Sequence, residues 1–205
     1  MPDFSFEIAA IKDGINPIAG VDEVGRGPLS GPVMAAAVIL DPHNIPPGLA
    51  DSKKLTAKRR EVLFELIIAS SEFCVAQASV QEIDQINILQ ASLLAMRRAL
   101  GGLPRQPAHA LIDGNRLPPD LPYPAQAIVK GDDRSLSIAA ASIVAKVTRD
   151  RMMTALASEF PGYGWENNAG YGTKQHLEGL SRLGATPHHR VSFKPVHNIL
   201  YQQKN

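Results

Sequence analysis

Asp22 and Glu23 stand side by side where the apolar run Ile18-Ala19-Gly20-Val21 turns into Gly25-Arg26-Gly27. Two like charges ~4 Å apart repel by about 4 kcal/mol at an effective dielectric of roughly 20, so neighbouring carboxylates need an offsetting partner. A hard divalent cation, Mg²⁺ or Mn²⁺, supplies it through oxygen ligands, and glycines beside it let backbone N–H groups approach a phosphate. Asp113 and Asp132 repeat the pattern, each after an apolar run and each beside a glycine. If their strands lie next to the first, four carboxylates meet at one sheet edge. Such a cluster suits two ions and in-line phosphoryl transfer. Asp133, directly after Asp132, is a second acid expected to be solvated. Arg26 lies three residues beyond Glu23, Lys53 and Lys54 sit in a loop before a helix, and Lys130 precedes Asp132, cations suited to a phosphate-bearing substrate.

The elements that must position these acids can be read from periodicity. Ile18 to Asp22 reads as a strand and Val33 to Leu40 as a second, nearly unbroken apolar strand buried on both faces. Thr56 can cap a helix with Val62, Leu63, Leu66 and Ile67 on its inner face. Phe73 to Val80 reads as a third strand. Ile86, Leu89, Leu93, Met96 and Leu100 then recur at helical spacing until Gly101-Gly102. His109 to Asp113 and Ala125 to Val129 are short strands ending at acids. Ser135 opens the small-residue helix Ser137 to Lys146, whose alanines permit close packing. A last helix is capped by Thr173, carries Leu177, Leu180 and Leu183 inward, and stops at Gly184. Strands interleaved with helices give an α/β fold with a mixed sheet flanked by helices and a helical C-terminal extension. Ligands of such sheets gather beyond strand ends where the topology reverses.

Composition excludes several other functions. The chain has 205 residues, 44% of them hydrophobic and 20% charged, with a formal net charge of +1. That bounds a globular protein whose charge distribution matters more than its sum. Cys74, the single cysteine, sits in an apolar stretch and reads as a buried thiol. No apolar run approaches the ~18 residues of a membrane span, and Asp3 and Glu7 interrupt any basic-then-apolar leader pattern. A cytoplasmic monomer with no membrane association is expected. No Gly-x-Ser-x-Gly elbow or Walker-type loop is present. The histidines His176, His188, His189 and His197 are expected to hydrogen-bond locally rather than bind a metal.

Several of these segments, taken in order, resemble ribonuclease HII, the type 2 ribonuclease H. They are Gly20-Val21-Asp22-Glu23-Val24-Gly25-Arg26-Gly27-Pro28, Asp51-Ser52-Lys53-Lys54-Leu55, Asp113-Gly114-Asn115, Lys130-Gly131-Asp132, Ala140 to Asp150, Gly170-Tyr171-Gly172-Thr173 and Thr186 to Phe193. The resemblance spans roughly residues 18 to 196. It implies a ribonuclease H-like fold with Asp22, Glu23, Asp113 and Asp132 as metal-binding catalytic acids. Residues 1–150 would form the catalytic domain, and residues 151–205 a helical segment completing the substrate groove. It further implies that Gly25, Arg26 and Gly27 read a ribose 2′-hydroxyl with help from Tyr171, and that Lys53, Ser142 and Lys146 contact the nucleic-acid backbone. The implied activity is endonucleolytic. The RNA strand of RNA–DNA hybrids, and DNA duplex containing ribonucleotides, would be cut 5′ to the ribonucleotide to leave 3′-hydroxyl and 5′-phosphate ends.

Overall fold

The computed structural model describes residues 1–201. Seven α-helices and five strands are found among them: α1 (Ser5–Lys12), β1 (Ile18–Val24), β2 (Val33–Leu40), α2 (Ala57–Ser70), β3 (Ser71–Ala78), α3 (Val80–Gly101), β4 (His109–Asp113), β5 (Ala125–Ile128), α4 (Leu136–Glu159), α5 (Trp165–Asn168), α6 (Lys174–Leu183) and α7 (Lys194–Tyr201). Short 3-10 turns occupy Ser52–Lys54 and Gly131–Asp133. The strands form one sheet in the order β3-β2-β1-β4-β5. β1 runs antiparallel to β2 and parallel to β4, and β4 runs parallel to β5. The direction of the sheet therefore changes at β1, and β1, β4 and β5 all end on the same side.

Contacts divide the chain into two compact units. The first comprises Met1–Val24, Met34–Gln77 and Leu93–Val147. Its larger apolar cluster joins Ala36, Val38 and Leu40 of β2 to Leu63, Phe64 and Ile67 of α2 and to Ala140, Ile143, Val144 and Val147 of α4. A fully buried Leu or Ile there contributes roughly 2 kcal/mol. A smaller cluster packs Phe6, Ala10 and Ile11 of α1 on Ile18, Leu111, Ile128 and Ile138. Gly20 of β1 sits so close to α4 that a Cβ would lie 2.1 Å from the Ser137 carbonyl carbon. The expected cap of α2 is formed, Thr56 Oγ1 accepting from the Arg59 N–H at 3.2 Å. The inner face is displaced from the expected one, however. Leu63, Phe64 and Ile67 are buried, whereas Val62 and Leu66 are 47% and 42% exposed. The apolar stripe of this helix is wider than its contact with the sheet.

The second unit comprises Gly25–Val33, Ala78–Ser92 and the chain from Thr148 onward. Its core gathers Leu29, Met153, Ala157, Tyr163, Trp165, Leu180 and Val196. Thr173 caps α6 by accepting from the His176 N–H at 3.3 Å. Leu180 is buried as expected, but Leu183, in the last turn, is 49% exposed. Helix α3 starts earlier than its periodicity suggests and is interrupted at Asn87, whose φ of 67° is left-handed. The Asn87 side chain recaps the helix beyond, accepting from the N–H groups of Leu89 and Gln90.

Candidate active site

Strand register brings the acids together. Val21 pairs with Ile112 across the parallel β1–β4 ladder, so Asp22 and Asp113, the next residues, end up side by side. On the far side of β4, Asp113 is opposite Ile128, the last residue of β5, and the chain then turns through Gly131–Asp133. One carboxylate oxygen each from Asp22, Glu23 and Asp113 lies within 4.8 Å of the others, the one acid cluster of this kind among the described residues. Asp132 is outside that set but close enough that its charge bears on Asp22.

Backbone donors fix two of these carboxylates. Asp22 Oδ1 accepts from the Glu23 N–H at 2.7 Å, and Asp113 Oδ1 from the Gly131 N–H at 2.6 Å. Glycine is required at 131, because a Cβ there would lie 2.5 Å from Ile138 Cδ1 and 3.2 Å from Asp113 Oδ1. Burial, then the charges of Glu23, Asp113 and Asp132, holds the Asp22 carboxyl well above the usual carboxylate range. Burial, followed by Asp113 and Asp51, pushes Asp132 up to about 6, against the pull of Lys53. Closely spaced carboxylate oxygens, with the ionisation of buried Asp22 and Asp132 disfavoured, fit a hard divalent cation, which would offset their mutual repulsion.

The neighbouring cations divide between the two adjacent aspartates. Lys53 Nζ lies 3.8 Å from Asp132 Oδ2, and the Lys53 side chain is 80% exposed. Lys54 Nζ donates to Asp133 Oδ2 at 2.7 Å, and this hydrogen bond lowers the Asp133 pKa. Asp133 is thus engaged by a lysine. Asp51 is an acid whose part in the site the sequence reading missed. It is buried, caps the Ser52–Lys54 turn through the Lys53 N–H at 2.9 Å, and adds to the field on Asp132. An Asp ahead of a Ser-Lys-Lys turn is the only signal that could have found it. Ser142 is buried on α4 with its Oγ accepting from the Ser52 N–H at 3.1 Å, which fixes the same turn. Lys146, one turn on, is half-buried.

The second unit holds the Gly25-Arg26-Gly27 loop and Tyr171. Gly25 has a φ of 97°. A Cβ at Gly27 would sit 3.2 Å from Tyr171 Cε1, so the aromatic ring lies against the loop backbone. Tyr171 is 47% exposed, and its carbonyl accepts from His176 Nδ1 at 2.9 Å. His176 Nε2 meets Trp165 Nε1 and His189 Nε2, both at 3.1 Å. Since Trp165 can only donate, His176 is the Nδ1–H tautomer. His189 Nδ1 accepts from the Thr186 N–H at 3.0 Å, and burial lowers its pKa to about 4. The two histidines thus pair with each other, and the bonding of His176 is less local than its sequence context suggested, since its Nε2 also lies 3.3 Å from Ser30 Oγ. Two buried arginines, Arg149 and Arg190, also belong to this unit, and no pattern in the sequence marks them as buried.

Known proteins match this chain closely. The family model for Ribonuclease HII matches residues 19–196. The Ribonuclease HII of Cereibacter sphaeroides (strain KD131) is 63% identical over 202 residues, covering 98% of this chain and 95% of that protein. The crystal structure of ribonuclease H2 from Pyrococcus horikoshii OT3 superposes with a TM-score of 0.76 at 29% identity, covering 92% and 99% of the two chains. Bst-RNase HIII in complex with Mn²⁺ shares the fold with a TM-score of 0.76 at 20% identity, covering 91% of this chain and 70% of its own. No helix among the described residues is long and apolar enough to cross a membrane. With a family match running from β1 into α7 and 63% identity along nearly the full length, the chain belongs to the ribonuclease HII family.

Proposed function

We propose that the chain is an endonuclease that hydrolyses the RNA strand of RNA–DNA hybrids and cuts 5′ to ribonucleotides embedded in duplex DNA by two-metal-ion catalysis. The products are 3′-hydroxyl and 5′-phosphate ends. The observation that carries this reading is the convergence of Asp22, Glu23 and Asp113 within 4.8 Å at the ends of parallel strands, with Asp132 beside them.

In this reading Asp22, Glu23, Asp113 and Asp132 hold Mg²⁺ or Mn²⁺. Divalent ions bound there supply Lewis acidity, which activates water as the nucleophile and stabilises the departing 3′-oxygen. The protein's own part is to keep the carboxylates in place before a cation arrives, through the N–H groups of Glu23 and Gly131. The raised proton affinities of Asp22 and Asp132 mean that cation uptake releases protons, so activity should rise as pH climbs through the region of about 6 where Asp132 ionises. Lys53, highly exposed, attracts the substrate phosphate and tempers the charge on Asp132. Ser142 acts by bracing the Lys53 turn, and Lys146 adds a cation on α4. Gly25, Arg26 and Gly27 read the ribose 2′-hydroxyl, which distinguishes RNA from DNA, and Tyr171 lies over the loop that does so.

The test is cleavage of a DNA duplex carrying one ribonucleotide, next to an all-DNA duplex and a continuous RNA–DNA hybrid, with and without EDTA. Cutting of the two ribonucleotide-bearing substrates, abolished by EDTA, is expected. Cleavage of the all-DNA duplex at a similar rate, or cleavage indifferent to the chelator, would overturn the assignment.

A further inference from the structure

Two guanidiniums are buried beneath the loop that leads from β1 to β2, and each donates three hydrogen bonds to main-chain carbonyls. Arg149, on α4 and 1% exposed, donates from Nε to Pro32 O at 3.2 Å, from Nη1 to Ala169 O at 2.9 Å and from Nη2 to Ser30 O at 3.0 Å. Arg190, fully buried, donates from Nε to Gly31 O at 2.9 Å, from Nη1 to Arg26 O at 3.2 Å and from Nη2 to Gly25 O at 2.6 Å. Removing such charges from water is costly even when their hydrogen bonds are made. Burial accordingly lowers Arg149 to about 10 and, together with the charge of Arg149, Arg190 to about 9. Apolar side chains would fill the same space at less cost, so the clamp calls for a function beyond packing.

Peptide geometry supplies that function. A trans peptide points its C=O and N–H to opposite sides, and the cis bond among the described residues is elsewhere, at Asn16-Pro17. Holding the carbonyls of Gly25 and Arg26 on the Arg190 guanidinium therefore turns the amide N–H groups of Arg26 and Gly27 away from it. The planar fork of arginine fixes both peptide planes at once, which a lysine ammonium cannot do. Arg149 fixes the rest of the loop at Ser30 and Pro32. It also demands glycine at 25, where a Cβ would lie 2.3 Å from Arg149 Nε.

We propose that Arg190 is a positioning residue for sugar discrimination, orienting the Arg26 and Gly27 amides as a fixed donor pair for a ribose 2′-hydroxyl. The proposal rests on the ribonucleotide-directed function above. Pre-set donors lose little entropy on engaging a hydroxyl and have no partner on a deoxyribose.

Equilibrium binding in EDTA, where no strand is cut, tests it. The affinity ratio between a duplex carrying one ribonucleotide and the all-DNA duplex does not depend on the folded fraction, so mere destabilisation leaves it unmoved. The wild type should favour the ribonucleotide, and Arg190→Lys should shrink that preference roughly tenfold, about the net value of one or two hydrogen bonds. A wild type without preference overturns the underlying function and this inference with it. A wild type that discriminates and an Arg190→Lys that discriminates equally well overturn the inference alone. Amide NMR of the wild type decides the matter if the variant does not fold. The Gly27 N–H resonance should shift with the ribonucleotide duplex and stay put with all-DNA, and equal response to both duplexes refutes the proposal.

Discussion

Asp132→Asn should make the cation-free protein more stable while destroying its activity. The Asp132 carboxyl is buried and pushed from 3.8 to about 6, by burial first and by the neighbouring acids next. At about 1.36 kcal/mol per tenfold change in proton affinity, its ionisation at pH 8 costs the fold about 3 kcal/mol. An amide keeps part of the burial penalty and gives up the attraction of Lys53, 3.8 Å away, which leaves a gain of about 1–2 kcal/mol. For a chain of this size that is a rise of roughly 2–8 °C in Tm. The sign follows from proton linkage. Because the folded-state pKa is the higher one, the folded protein holds a proton that the unfolded chain lacks between pH 3.8 and about 6. Wild-type stability therefore falls as pH rises through that window, whereas the asparagine does not titrate. Thermal unfolding followed by circular dichroism in EDTA should show the variant ahead at pH 8 and the gap nearly closed at pH 4. A variant that melts at or below the wild type at pH 8 would refute the claim that the acid cluster strains the fold.

Asp22→Asn should abolish cleavage while leaving duplex affinity in EDTA largely intact, since phosphate contacts are separate from cation binding; full activity would remove this carboxylate from the mechanism. Tyr171→Ala takes away the ring that lies against Gly27, and cleavage at a lone ribonucleotide should drop at least about tenfold; unchanged cutting there would dismiss its sensing role. Gly20→Ala drives a methyl group to 2.1 Å from the Ser137 backbone, so a loss of about 3 kcal/mol or more in urea unfolding is expected, and a loss within experimental error would show that α4 shifts freely. Burial depresses His189 to about 4, so the unfolded chain takes up a proton between pH 6.5 and about 4 that the folded protein refuses, and this part of the stability falls as pH drops. His189→Gln should lose less stability than the parent on going from pH 7 to pH 4.5, and parallel losses would refute the assignment.

The clustered acids Asp22, Glu23 and Asp113 were legible in the sequence because they lie at the ends of apolar strands, and a parallel sheet brings such ends to one side. Asp51 was not legible as part of the site, because an aspartate that caps a turn gives the same signal wherever the turn ends up. Arg149 and Arg190 escaped for a deeper reason. Their partners are backbone carbonyls distant in sequence, and carbonyls carry no side-chain signature. Helix α1 went unread because its buried residue is polar: Glu7 Oε1 accepts from Ser135 Oγ and the Ser137 N–H, at 2.6 and 3.0 Å, while Ile8 is 45% exposed. The early start of α3 was hidden by the left-handed residue Asn87, which breaks the period that Leu93, Met96 and Leu100 continue.

The pairing of β1 with β4 also constrains the order of events in folding. These strands come from widely separated stretches of the chain, and parallel ladders of that kind close late because the loop entropy must be met before contacts reward it. Until the ladder zips in register, Asp22 and Asp113 have no reason to be neighbours. Divalent ions would then act as stabilisers of the finished molecule by mass action rather than as nuclei for its assembly, and refolding in chelator should proceed at nearly the rate seen with Mg²⁺.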